Sequence, residues 1–335
     1  MGLRRQLAAS CIGATVFLAL FAAAVDAARA PIRITHVDLR DYPTIRLTVV
    51  TATPSSNSPG VTENGAPPAG LQAANLASQA TIILAIDRSQ SMHGQTLVHA
   101  LSDSRSFLDA KPNSYRVAVV TFASQPLLLS QPSTSTTDAD AALRSIAVDP
   151  NAGTTMYDAI VLAAHTLQAE SYAGRVIVLI TDGQETTSKA TLAHAVDAAR
   201  RAHAIIYPIA IKDSTYTPAP LRALAADTGG SMTVAAPGTS LAGAYALIAA
   251  ELRRTWELSY YTAARPGARV DLAAQIPGRP HADTKVVIPQ SGRPPAASSG
   301  LPFAEIAIAL AAILVVAVAL GAVRRNRPAR FDPPW

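Results

Sequence analysis

The stretch ILAIDRSQSM, residues 83–92, runs four apolar residues straight into Asp87, Ser89 and Ser91, a carboxylate and two hydroxyls at alternate positions. Oxygen groups in that arrangement are what a hard divalent cation takes as ligands. Two later segments supply more of the same chemistry: Thr154 in Asn151-Ala152-Gly153-Thr154, and Asp182 in Thr181-Asp182-Gly183. Asp87, Ser89, Ser91, Thr154 and Asp182 therefore form a candidate metal-ligand set of two carboxylates and three hydroxyls. Such a set suits Mg²⁺, with Mn²⁺ or Ca²⁺ as alternatives. The same residue types also make Asx and Ser turns that cap a following helix, and capping and ligation can coexist.

Three distant segments meet only if regular elements place them at one edge. Apolar runs at 80–87, 115–123, 126–130, 175–182, 204–211 and 231–236 read as strands. Helical spacing appears near 94–110, 138–147, 156–170, 188–202, 218–226 and 240–254. Continuous apolar strands alternating with helices imply an α/β fold, a doubly wound and mostly parallel sheet covered on both faces. Ligand sites in such sheets form at the carboxyl ends of the strands. Asp87 and Asp182 each sit at such an end.

The flanks read differently. Residues 31–52 and 255–290 alternate apolar and polar positions, as half-buried strands do. They imply one small β-sandwich-like domain built from both flanks (31–77 and 255–290), with the α/β domain at 78–254 inserted; two unrelated β extensions are the alternative. Residues 53–70 read as a loop by composition.

With these segments in order, the chain resembles the von Willebrand factor type A family. Its metal-ion-dependent adhesion motif is matched by Asp87-Arg88-Ser89-Gln90-Ser91, by Gly153-Thr154 and by Thr181-Asp182-Gly183; Ala152 stands where the family has a first Gly. The resemblance implies that Ser89, Ser91 and Thr154 ligate directly, with Asp87 and Asp182 direct or through water. It also implies a partner protein that completes the coordination with a Glu or Asp carboxylate, as in cell adhesion. A shift of the helix at 240–254 on partner binding is a further family-based expectation.

The ends of the chain point to a membrane-anchored protein, and the flanking strands, including Trp256-Glu257-Leu258-Ser259-Tyr260-Tyr261, resemble those of bacterial membrane-anchored members of the family. Arg4 and Arg5 precede an apolar stretch and small residues at 25–27, a signal peptide cut after Ala27. The only cysteine, Cys11, falls inside it, so the mature chain has no disulfide or thiol chemistry. A linker at 291–302 leads to an apolar segment at 303–323, read as one transmembrane helix. A cytoplasmic tail at 324–335 carries Arg324, Arg325, Arg327 and Arg330. The expected placement is a single-pass cell-membrane protein with its body extracytoplasmic.

Net charge is +5, but residues 28–300 carry 22 basic and 20 acidic residues, a net of +2. The excess lies at the ends, so no nucleic-acid partner is implied. No nucleophile-elbow Gly-x-Ser-x-Gly and no phosphate loop appears, and the chain reads as a non-enzyme. The alternatives are a subunit assisting assembly or maturation of envelope complexes, a channel-associated regulatory subunit, and a metal-dependent hydrolase.

Among other residues, Asp158 reads as a cap within the metal loop, and Glu185 and the Arg200-Arg201 pair as solvated charges. His93 and His99 read as surface histidines, and Trp256, Tyr260 and Tyr261 as packing residues.

Overall fold

The run ATIILAID is apolar except at Thr81 and Asp87, yet all eight residues are buried, as a strand covered on both faces requires. The computed structural model describes residues 32–290 apart from Thr215 and 277–280. Along the chain come strands β1 (Ile32–Asp38), β2 (Thr44–Thr51), β3 (Gly60–Glu63), β4 (Gln72–Asn75) and β5 (Ala80–Asp87). Helix α1 (Gln95–Ala110), strands β6 (Arg116–Phe122) and β7 (Pro126–Ser133), and helices α2 (Thr137–Ser145) and α3 (Met156–Gln168) follow. Next are β8 (Gly174–Thr181), α4 (Leu192–Arg201), β9 (Ile205–Ile211), α5 (Pro218–Thr228), β10 (Thr233–Ala235) and α6 (Ala242–Leu252). The last three strands are β11 (Thr255–Tyr261), β12 (Arg269–Gln275) and β13 (Ala282–Val287).

The large sheet has the order β10-β9-β8-β5-β6-β7. All its pairings are parallel except β6 with β7. The sheet is mostly parallel as expected, with the correction that its β6–β7 pair is antiparallel and makes it mixed. The physical reason is the connection: only residues 123–125 separate β6 from β7, too few for a crossover, so the chain must turn back as a hairpin. In β5, Ile82, Leu84 and Ile86 face one helical layer with Leu97, Leu108, Tyr245 and Ile248. Ile83 and Ala85 face the other, with Ile160, Leu167, Ala199 and Leu224. Each fully buried aliphatic side chain contributes about 1.5–3 kcal/mol, and β5, apolar on both faces, draws this stabilisation from both helical layers while carrying Asp87 at its end.

Two smaller sheets, β1-β2-β11-β4 and β13-β12-β3, share a third core. Ile45, Leu47, Val49, Trp256, Leu258, Val270 and Leu272 fill it. Strands from before and after the α/β layer interleave here, since β11 pairs with both β2 and β4. The segment read as a loop at 53–70 contains β3, which pairs with β12. Four residues bounded by Pro59 and the Asn64-Gly65 turn are too few to display alternation.

The transmembrane helix included in the expected fold is also corrected. Among the described residues no helix is long and apolar enough to cross a membrane; α1, with 16 residues, is the longest. The expected signal peptide, the segment 303–323 and the cytoplasmic tail lie outside the described residues.

Candidate metal centre

Each candidate ligand is placed by a strand end or by a loop that another loop braces. Asp87 closes β5 and is fully buried. Its Oδ1 accepts the Ser89 N–H (2.8 Å), which curls the chain back so that Ser89 and Ser91 present their hydroxyls 3.1 Å apart. The following turn is anchored by Met92, fully buried in the core. Gly94 then takes φ +71° to start α1.

The neighbouring strand end supplies a residue that pattern reading passed over. Thr181 Oγ1 donates to Asp87 Oδ2 (2.6 Å) and accepts the Gly183 N–H (3.0 Å). One hydroxyl thereby orients Asp87 and folds the turn carrying Asp182. Asp182 is buried, and its Oδ1 accepts the Gln184 N–H (2.9 Å). Gly183 has φ +86°, and a Cβ there would lie 2.6 Å from the Thr217 carbonyl oxygen, so only glycine fits.

The third loop is tied to the second. Thr154 N–H donates to Thr186 Oγ1 (2.8 Å), and Thr154 O accepts from the Thr186 and Thr187 amides (3.1 and 3.3 Å). Thr155 bonds Ala123 O through both its amide and its hydroxyl. Gly153, at φ +128°, lets the loops approach this closely: a Cβ would meet Thr187 Oγ1 at 2.8 Å. The expected solvated Glu185 is instead a brace. Its carboxylate accepts from Tyr157 N–H, Thr187 N–H, Ser188 N–H and Ser188 Oγ, joining the start of α3 to the 182–188 turn. Asp158 accepts from the amides of Lys189 and Ala190. No motif marks Glu185 as a loop brace; its only signal was being three residues past Asp182.

Arg88 is a further brace. Its guanidinium lies 3.1 Å from Asp149 Oδ2, and the Asp149 N–H donates to Arg88 O (2.9 Å). Asp149 also accepts from Ser124 Oγ (2.7 Å) and Asn151 N–H (2.9 Å). The Ser124 hydroxyl first, then the Asn151 amide and Arg88, hold its carboxyl down at about 2.

Ser89, Ser91 and Thr154 line one open groove with Gln90, Ala152, Gly153, Gln184, Thr186 and Thr187. The two expected carboxylate ligands, Asp87 and Asp182, are buried and do not line the groove; Asp87 is joined to it by the Ser89 amide and Asp182 by the Gln184 amide. The groove contains no Lys, Arg or His, and no ion pair reaches Asp87 among the described residues. Burial pushes the Asp87 carboxyl up to about 7, against the hydrogen bonds from Ser89 and Thr181, and Asp182 raises it further. A desolvated carboxylate under hydroxyls, lacking a protein cation, fits a bound divalent cation. No cluster of three or more His, Cys, Asp or Glu positioned for a metal occurs among the described residues; a site here depends on hydroxyls, as the donor set requires.

A doubly wound α/β layer with a hydroxyl-lined groove at its strand ends defines the class: an α/β domain with an oxygen-donor loop cluster. Residues 82–184 match the family profile of the von Willebrand factor type A domain, and the chain carries that domain. No curated protein matches the chain. Among solved structures it is similar to BatB from Bacteroides thetaiotaomicron: 20% identity, 52% of this chain and 97% of that one, TM-score 0.45. An aerotolerance-related membrane protein from Bacteroides fragilis NCTC 9343, carrying multiple mutations to serines, gives 20% identity, 52% and 98% coverage and TM-score 0.46. A von Willebrand factor type A protein from Catenulispora acidiphila gives 14% identity, 76% and 72% coverage and TM-score 0.49.

Proposed function

We propose that the groove holds one divalent cation, Mg²⁺ before Mn²⁺ or Ca²⁺, and through it binds an acidic side chain of a partner protein outside the cytoplasm, without catalysis. Asp87, Ser89, Ser91, Thr154 and Asp182 would hold the ion. The observation that carries this reading is the pairing of Asp87, a buried carboxylate tied to Ser89, with the neighbouring groove, where Ser89, Ser91 and Thr154 stand among neutral residues with no basic side chain. The cation supplies the positive charge that a Glu or Asp from the partner needs. The protein's own residues do the rest. Thr181 fixes Asp87, Glu185 and Thr186 lock the loops together, and the neutral groove wall leaves the metal as the sole attractive charge.

The test is capture of partners by the full chain in Mg²⁺ and in chelator, paired with calorimetric metal titration. Asp87→Ala is expected to abolish metal uptake and metal-dependent capture while preserving the fold. Metal uptake by wild type too weak to measure, or unchanged capture by Asp87→Ala, refutes the proposal.

A further inference from the structure

At the amino-terminal end of the large sheet, opposite the groove, lies a second concentration of charge. There β2, β4 and β11 of the sandwich meet the start of β8, the end of α4 and the residues entering β9. A narrow cavity of about 30 Å³ adjoins a wider cleft of about 310 Å³, and Arg46, Arg175, His203 and Glu257 line both. The inner end adds His36, Asp38 and Arg200.

The carboxylates here are already committed. Asp38 accepts from Arg40 Nε (3.0 Å) and Nη2 (2.6 Å). Glu257 Oε1 accepts from Arg46 Nη1 (3.0 Å). Asp41, at the rim, faces Arg46 Nε at 3.4 Å and His203 Nε2 at 3.3 Å. Two arginines of the lining make no direct ion pair among the described residues. Arg175 spends three N–H groups on the carbonyls of Tyr172, Ala202 and Glu170; Glu257 and Glu170 act on it only from a distance. Arg200, expected to be a solvated helix end, lines the cavity. Its Nε is buried with no hydrogen-bond partner, and its guanidinium makes no ion pair among the described residues. Its neighbour Arg201, by contrast, is exposed and paired with Asp197.

A buried, unsatisfied guanidinium N–H calls for an acceptor, and the planar fork of arginine matches the oxygens of a phosphate or carboxylate. Three arginines stand against two carboxylates in the lining. We propose that this cleft is a binding site for a small phosphate-type oxyanion, held by Arg200 and Arg175 beside His203. Gln72, Ser171 and Ser259 at the wider mouth offer neutral polar groups to whatever the phosphate is attached to. The site is independent of the metal groove and of its proposed function.

The test is equilibrium dialysis of the full chain against labelled inorganic phosphate at constant ionic strength, with glycerol 1-phosphate as competitor. Saturable binding is expected, weakened at least about tenfold by Arg200→Gln, which removes no hydrogen bond of the fold. Arg201→Gln removes the same charge one residue away and is expected to change affinity less than about twofold, because screening mutes exposed charges. Asp87→Ala is expected to leave binding unchanged. Displacement by glycerol 1-phosphate at lower concentration than by unlabelled phosphate assigns an esterified ligand, and the reverse a free oxyanion; both support the site. Absence of saturable binding by wild type, or equal losses in Arg200→Gln and Arg201→Gln, overturns it.

Discussion

Thr181→Val is the most informative perturbation of the metal groove, because it changes one hydroxyl for one methyl and leaves the shape of the side chain alone. Two bonds disappear together: the 2.6 Å bond that Thr181 donates to Asp87 and the 3.0 Å bond it accepts from Gly183 N–H. A hydrogen bond to a charged group contributes about 1.5–3 kcal/mol, and a buried amide left without an acceptor costs about 1–3 kcal/mol. The two effects share one turn and do not add fully, so a loss of about 3 kcal/mol is expected in the metal-free protein. Asp87 also loses the donor that sets its rotation, and loss of such an outer partner weakens metal binding about 10–100-fold. Thr181→Ser keeps both bonds and serves as the reference. Denaturant unfolding in chelator reads the first quantity, and calorimetric titration with Mg²⁺ or Mn²⁺ reads the second. If Thr181→Val loses less than about 1 kcal/mol and binds metal as Thr181→Ser does, the hydroxyl does not organise this site.

The other expectations concern the braces. For Asp149, the folded carboxyl titrates at about 2, below its ordinary value, so the folded state binds fewer protons. Its contribution, about 2 kcal/mol, is present above that ordinary value and is lost as pH falls through about 2. The stability difference between wild type and Asp149→Asn should therefore narrow on acidification, as denaturant midpoints across that range will show. Gly183→Ala forces a Cβ to 2.6 Å from a carbonyl oxygen at φ +86°; a loss of at least about 2 kcal/mol is expected by thermal or chemical unfolding. Tyr245→Phe removes the 2.7 Å bond to Ser104 Oγ, while Ser104 keeps its bond to Ala100 O. The expected cost is about 1 kcal/mol, with faster amide exchange in α6 if that bond holds the helix on α1.

The α/β layer was legible because burial on both faces leaves an unmistakable trace, apolar runs such as 82–86 and 205–211 with helical spacing between them. Of the five candidate ligands, Ser89, Ser91 and Thr154 do share one groove, and Asp87 and Asp182 are legible because each ends an apolar strand run abruptly. Thr181 was not: a threonine one residue before Asp182 belongs equally to the strand, and its role depends on β8 lying beside β5. Glu185, Arg88 and Asp149 act across gaps of 25 to 61 residues that no local spacing encodes. Arg200 and Arg201 are identical letters on one helix, yet α4 turns only Arg200 toward the sandwich. Strands β3 and β4 were missed because four residues are too short to show a period and take their stability from β12 and β11.

The polarity of the parallel sheet explains why the two sites separate. Strands β5 and β8 run the same way, so their carboxyl ends bring Asp87, Thr181 and Asp182 together, while their amino ends bring Arg175 to the opposite edge. Helix α4 returns antiparallel to these strands and delivers Arg200 to that same edge. The sandwich pairs β2 with β11 beside it, adding Arg46 and Glu257. Asp87 and Asp182 are thus buried at one end, while Arg175 and Arg200 meet Asp38 and Glu257 at the other. The two groups are separated by the apolar layer between them, so the proposed cation beside Asp87 and the proposed anion beside Arg200 are expected to bind independently. Metal binding that survives Arg200→Gln and phosphate binding that survives Asp87→Ala would show the two ends to be independent.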